Sequence, residues 1–162
     1  MPHYRYVIVG GGMAGDAAAR GIREVDPNGT IGLIGAEPHP PYNRPPLSKG
    51  LWKGQPIDDI WRDTGNLGVE LYLGRVATSL DPSKREVTDD RGTLYTFEKL
   101  LLATGGTPRV LPSGTGSSGR VIYFRTYDDY LRVLAMAQER DRFAVIGGGF
   151  IGSEMAAWAG SR

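Results

Sequence analysis

Two stretches of the chain repeat each other. "RYVIVGGGMAGDAAARG" begins at Arg5 and "RFAVIGGGFIGSEMAAWAG" at Arg142. Gly10, Gly12 and Gly15 of the first recur as Gly147, Gly149 and Gly152 of the second. Each copy is a short β-branched run, then G-x-G-x-x-G, then a helix-like run of small residues. That order leaves little choice of fold. The first glycine permits a tight turn, the second lets backbone approach a pyrophosphate, and the third lets helix and strand pack together. The N–H groups and dipole of the helix start then hold phosphate. One such motif is a weak signal, because a glycine turn can simply pack tightly. Two copies, each between a strand and a helix, predict an α/β chain that binds dinucleotides.

The first copy continues as such a unit should. Residues 14–25 read as a helix, with Ala17, Ala18, Ala19 and Ile22 as its packing residues. "DPNG" from Asp26 is a turn. "TIGLIG" from Thr30 is a second strand, ending near Glu37. An acidic residue there can accept hydrogen bonds from a ribose hydroxyl. Its distance from the glycines is longer than the usual spacing of about 20 residues, and a solvated loop carboxylate is the competing reading.

"PHPPYNRPPLSKGLW", from Pro38 to Trp52, reads as stiff and extended because of its prolines. It is expected to wall a cofactor site, with a PxxP ligand for a partner's groove as the alternative. Arg44 and Lys49 can bring positive charge to phosphates or to a redox ring. "LSKGLW" reads as the start of a short helix, with Ser48 as its cap. Between Val69 and Phe97, "VELYLG", "RVATSLD", "REVTDD" and "TLYTFE" predict short antiparallel strands joined by turns. "KLLLATGG" predicts a separate buried strand from Leu100 to Ala103, then a turn at Gly105 and Gly106. "SGTGSSG", Ser113 to Gly119, reads as a flexible loop. "TYDDYLRVLAMAQER" predicts an amphipathic helix with Tyr130, Leu131, Leu134 and Met136 among its apolar positions.

Composition narrows the function. The 162 residues are 40% hydrophobic, enough for a packed core. The net charge is +1 with both signs interspersed, so no basic stripe marks a nucleic-acid or anionic-membrane surface. Apolar runs are too short to span a bilayer. A strand pattern starting at Tyr6 leaves no secretory signal, which predicts a cytoplasmic protein. Cysteine is absent, which removes disulfides, thiolate metal sites and cysteine nucleophiles. The two histidines, His3 and His39, cannot build a metal site unaided.

In this order, "PYNRPPLSKGLW", "LLATGGTPR" and "IGGGFIGSE" resemble the two-dinucleotide flavoproteins of glutathione-reductase type. Within that family the chain is similar to the cysteine-free branch, the ferredoxin and rubredoxin reductases and apoptosis-inducing factor. The resemblance implies a Rossmann-like FAD-binding domain over residues 1–112, with an antiparallel β-meander at 69–98. It implies a linker, a helix and the start of a second Rossmann-like unit, for NAD(P)H, over 113–162. The implied activity is that of an FAD-dependent NAD(P)H oxidoreductase passing electrons to a ferredoxin-like acceptor. The alternatives are a non-catalytic nucleotide-binding module and a redox-regulated flavoprotein like apoptosis-inducing factor. A homo-oligomer is compatible with either.

Residue roles follow from the resemblance. Gly10, Gly12 and Gly15, with Met13 and Ala14 between them, would hold the FAD pyrophosphate, and Glu37 its adenosine ribose. Arg44, Ala103, Thr104, Gly105 and Arg125 would line the cofactor, and Ala77 would meet adenine through its backbone. Gly147, Gly149 and Gly152 would take the nicotinamide dinucleotide. Lys49 and Glu154 would pair beside the flavin as the catalytic residues. Ala17 stands in the first repeat where Glu154 stands in the second. A carboxylate near a helix start repels a phosphate bound there, so this asymmetry suits a separate task for Glu154. The family's second unit continues through further strands and helices, so the chain is expected to be the N-terminal portion of a longer reductase.

Overall fold

A computed structural model describes residues 1–111, 121–140 and 142–161. The predicted loop at Ser113–Gly119 lies outside the described residues. The chain forms two compact units, one of Met1–Asn43 with Trp61–Gly105, the other of Arg44–Ile60 with Gly106–Arg162.

The first unit is built on one six-stranded sheet. Its strands are β1 (His3–Val9), β2 (Ile31–Gly35), β3 (Val69–Leu73), β4 (Ala77–Asp81), β5 (Glu86–Asp89) and β6 (Leu94–Leu102), in the order β3-β2-β1-β6-β5-β4. Strands β3, β2, β1 and β6 run parallel, and β4, β5 and β6 pair antiparallel. Helix α1 (Met13–Val25) follows β1. Alternate side chains serve opposite faces of the sheet, as strand geometry requires. Val7, Val9 and Ile34 join Tyr4, Val87, Tyr95 and Phe97 in one cluster. Ile8, Ile31 and Leu33 meet Ala19 of α1 in the other, with Ala18 and Ile22 packed against it. Ala17, expected to pack, is exposed.

Two expectations change here. Val69–Leu73 is not part of the meander. It pairs parallel with β2, from Ile31 opposite Val69 to Gly35 opposite Leu73. The predicted strands at 93–98 and 100–103 are one nine-residue strand, since no turn residue separates them. β6 changes partners along its length: Leu94, Tyr95 and Thr96 face β5, while Thr96 to Leu102 run beside β1.

In the second unit, Pro45–Ser48 and Gly50–Lys53 are consecutive 3-10 turns rather than extended chain. Prolines at the first helical positions have the backbone angle a turn needs and lack only an N–H the turn does not use. Ser48 closes the first turn and caps nothing. Helix α2 spans Tyr127–Glu139 and α3 spans Phe150–Gly160. On α2 the buried residues are Tyr130 and Ala137, whereas Leu131 and Leu134 are exposed. The strand expected before Gly147 is not formed. A strand exists only when paired, and no paired strand lies in this unit among the described residues; Val145 and Ile146 are exposed.

Candidate functional site

The carboxyl ends of β1, β2 and β6 are tied to one another. The Gly10 N–H donates to the Ile34 carbonyl and the Ala103 N–H to the Val9 carbonyl, each at 2.8 Å. Gly10 has φ +130°, a conformation side chains rarely adopt, and a β-carbon there would lie 2.1 Å from the Ala103 carbonyl oxygen. The turn therefore needs glycine twice over, for its angle and for its closeness to Ala103 and Thr104. Ligands of open α/β sheets bind outside such strand ends.

The second repeat reproduces this geometry. Gly147 has φ +119°, against +130° at Gly10. Gly12 and Gly149 are both extended N-caps, at φ −95° and −77°. A β-carbon on Gly15 would lie 2.1 Å from the Gly10 carbonyl oxygen, and one on Gly152 2.0 Å from that of Gly147. Both helices thus begin on a residue with no capping oxygen. Helix α2 differs: Thr126 accepts from the Asp129 N–H at 3.2 Å, and the Asp129 carboxylate accepts from the Thr126 N–H at 2.8 Å. In front of α3, a β-carbon on Gly149 would meet nothing within 4 Å. Two glycine-started helices beside one fully capped helix fit the binding of a pyrophosphate group at each glycine turn.

The first turn of α1 also carries Asp16, which is fully buried. Its carboxylate accepts from Arg20 Nε at 2.9 Å and Thr64 Oγ1 at 2.6 Å, and from Arg62 Nε. Burial alone would raise its pKa, but these donors together hold it below the usual carboxylate range. The charge is satisfied within the fold, so it does not oppose an anion at the helix start. Beyond β2, the Tyr42 hydroxyl donates to Glu37 Oε2, and the Gly74 N–H donates to the Glu37 carbonyl at 3.0 Å. Glu37 is fixed by both side chain and backbone. Ala77 is half-buried on β4, opposite Asp89. Met13 and Ala14 are exposed in the first turn of α1.

Gly105, at φ +69°, ends the first unit, and the remaining predicted residues lie in the second. Arg44 Nη1 donates to the Arg125 carbonyl at 3.2 Å. Lys49 Nζ lies 3.4 Å from Glu154 Oε1, and Ser48 Oγ donates to Glu154 Oε2 at 2.6 Å. The Ser48 hydrogen bond first, then Lys49, holds the Glu154 carboxyl below its ordinary range against the opposing effect of burial. Lys49 is 57% exposed, so the pair is not the desolvated one that its catalytic reading would favour. One helical turn beyond Glu154, Trp158 packs against Trp52 with ring centres 4.0 Å apart and planes inclined by 41°, and Trp52 meets Tyr130 at 4.8 Å. Nothing in the local sequence marks the contacts of Asp16, Tyr42, Trp52 or Trp158, and the Ser48 signal is that of a helix cap rather than of a partner for Glu154.

Residues 4–162 match the family model described as pyridine nucleotide-disulphide oxidoreductase. The chain belongs to this family. It is 40% identical over 165 residues to the 5,5'-dehydrodivanillate O-demethylase ferredoxin reductase subunit of Sphingobium sp. (strain NBRC 103272 / SYK-6), covering 97% of this chain and 39% of that protein. It is 39% identical to terpredoxin reductase of Pseudomonas sp., covering 94% of this chain and 38% of the relative. Among solved structures it resembles the covalent putidaredoxin reductase–putidaredoxin complex, at 32% identity and a TM-score of 0.90, over 99% of this chain and 40% of that one. This family member thus spans about two fifths of the length of these relatives. It has no cysteine, so the disulfide of the family's description has no counterpart in these residues. No helix among the described residues is long and apolar enough to cross a membrane.

Proposed function

We propose that the chain is the FAD-binding part, and the opening of the NAD(P)H-binding part, of an oxidoreductase that delivers electrons to a ferredoxin-like iron–sulfur protein. The observation that carries this reading is the pair of geometrically matched glycine turns, set against a third helix that caps itself. Relatives named as ferredoxin reductases support it. The domain division at residues 112 and 113 and action in the cytoplasm belong to the same reading, as does self-association.

In this reading Gly10, Gly12, Met13, Ala14 and Gly15 bind the FAD pyrophosphate through backbone N–H groups. Glu37, oriented by Tyr42, accepts from the ribose hydroxyls. Arg44, Ala77, Ala103, Thr104, Gly105 and Arg125 line the cofactor. Gly147, Gly149 and Gly152 take the pyrophosphate of NAD(P)H. The chemistry supplied by the flavin is acceptance of a hydride and release of single electrons. Lys49 brings its side-chain nitrogen beside the flavin, with Glu154 as its ion-pair partner.

The visible spectrum of the purified chain with FAD, before and after NADH or NADPH, tests the proposal. A bound-flavin spectrum is expected, with bleaching by nicotinamide in a protein extended to the length of its relatives. FAD that stays free in solution would overturn it.

A further inference from the structure

We propose that Ser48 is the positioning residue of the Lys49–Glu154 pair: its hydroxyl fixes the Glu154 carboxylate through Oε2 and leaves Lys49 as the movable partner on Oε1. That this pair serves a flavin rests on the function proposed above; the division of labour between Ser48 and Lys49 does not.

The two bonds to Glu154 are unequal. The Ser48 contact is short, at 2.6 Å, and Ser48 is buried, with 8% of its surface exposed. A hydroxyl bound to a carboxylate at such a distance is a strong, charge-assisted bond. The Lys49 contact is longer, at 3.4 Å, and its side chain is more than half in water. An exposed ion pair of that kind is weak and screened by salt. Lys53 is a further cation acting on Glu154.

The backbone explains why adjacent residues differ so much. Ser48 ends one 3-10 turn, and Lys49 is the junction before the next. Leu47, just before Ser48, is buried, and its carbonyl accepts from Trp52 Nε1 at 2.6 Å. Trp52 in turn packs against Trp158, four residues after Glu154 on the same helix face. Ser48 and Glu154 are therefore held in register from both elements. The Lys49 side chain meets Glu154 only through the longer, more exposed contact, and a lysine stem has many rotamers. Lys49 can thus leave Glu154 without the carboxylate swinging away.

The test is to follow the Glu154 carboxyl carbon by NMR through an acid titration of the chain. Ser48→Ala should raise the midpoint more than Lys49→Met does, and Ser48→Thr should restore it. A larger rise in Lys49→Met, or none in Ser48→Ala, overturns the proposal. The wild-type chain decides independently of any variant's folding. Added salt should leave its midpoint nearly fixed if a hydroxyl dominates, and a strong rise with salt would show the lysine dominates. A flavin titration of the same wild-type sample is scored separately. Absence of FAD binding with the serine-dominated pattern intact removes the flavin reading and leaves the clamp.

Discussion

Gly15 sits against Gly10 so closely that any side chain at residue 15 must collide with the backbone of the turn. A β-carbon there would lie 2.1 Å from the Gly10 carbonyl oxygen, and this oxygen belongs to a residue itself locked at φ +130°. Neither partner can yield cheaply. Gly15→Ala is expected to destabilise the fold by at least about 1–3 kcal/mol, the usual cost of overpacking. Denaturant unfolding of the chain measures it. An unchanged midpoint would mean that the turn is looser than described.

Gly12→Ala should behave oppositely. Gly12 is extended, at φ −95° and ψ −171°, which alanine adopts without strain. Folding stability should change little. In the proposed FAD site the added methyl group stands where backbone must approach pyrophosphate, so FAD affinity should fall at least about tenfold, roughly 1.4 kcal/mol. Flavin fluorescence titration checks this, and equal affinities would move the binding site elsewhere.

Thr64 is fully buried and donates to the buried carboxylate of Asp16. Thr64→Val keeps the shape and removes the donor. A hydrogen bond to a charged group contributes roughly 1.5–3 kcal/mol, so a loss of that size is expected on unfolding. The pKa of Asp16 is lowered in the fold. Its contribution is therefore complete above the unfolded value near 4 and is lost as pH falls through the lower, folded value. Asp89, whose carboxylate accepts from Tyr95, Arg75 and the N–H groups of Arg91 and Thr93, acts in the same direction. Stability should fall steeply in acid, and Thr64→Val should shift the acid unfolding midpoint to higher pH.

Tyr95 gives the alkaline counterpart. It is fully buried, and burial first, then its bond to Asp89, raises its pKa far above the ordinary phenol value. The neutral phenol stabilises the fold completely below about pH 10, and that contribution is lost as pH rises toward the folded value. Tyr4, bonded to Glu70 and Tyr72, adds to the effect. Tyr95→Phe should lower stability at neutral pH by roughly 1.5–3 kcal/mol through the lost hydrogen bond to the charged Asp89 carboxylate. It should also flatten the alkaline loss. Tyrosinate absorbance followed alongside circular dichroism separates the two.

The glycine turns, α1 and the central strands are legible because each rests on local spacing or on a motif; the Lys49–Glu154 contact is legible only through the family resemblance. What was not legible depends on partners distant in sequence. Val69–Leu73 has the alternation of a hairpin strand, and nothing in that alternation reveals parallel pairing with β2. Residues 142–146 have strand composition, but composition cannot supply a neighbour to pair with. Ser48 has the chemistry of a helix cap; its bond to Glu154, more than a hundred residues later, is set by tertiary packing. Asp16 reads as an ordinary first-turn acid, and only the approach of Arg62 and Thr64 makes it a buried one.

A helix that begins on glycine brings no side-chain acceptor to its own first-turn N–H groups, and two of the three α-helices among the described residues begin that way. Such a fold is not characterised by one melting temperature. A ligand that binds only the folded chain adds about 2.7 kcal/mol when present at 100 times its Kd, and more at higher concentration. Thermal midpoints should therefore climb with the logarithm of dissolved dinucleotide. The capped helix α2 has no such dependence of its own. With dinucleotide bound at these turns as proposed, durability against heat and proteolysis becomes a reading of the cofactor supply around the protein, not a constant of its sequence.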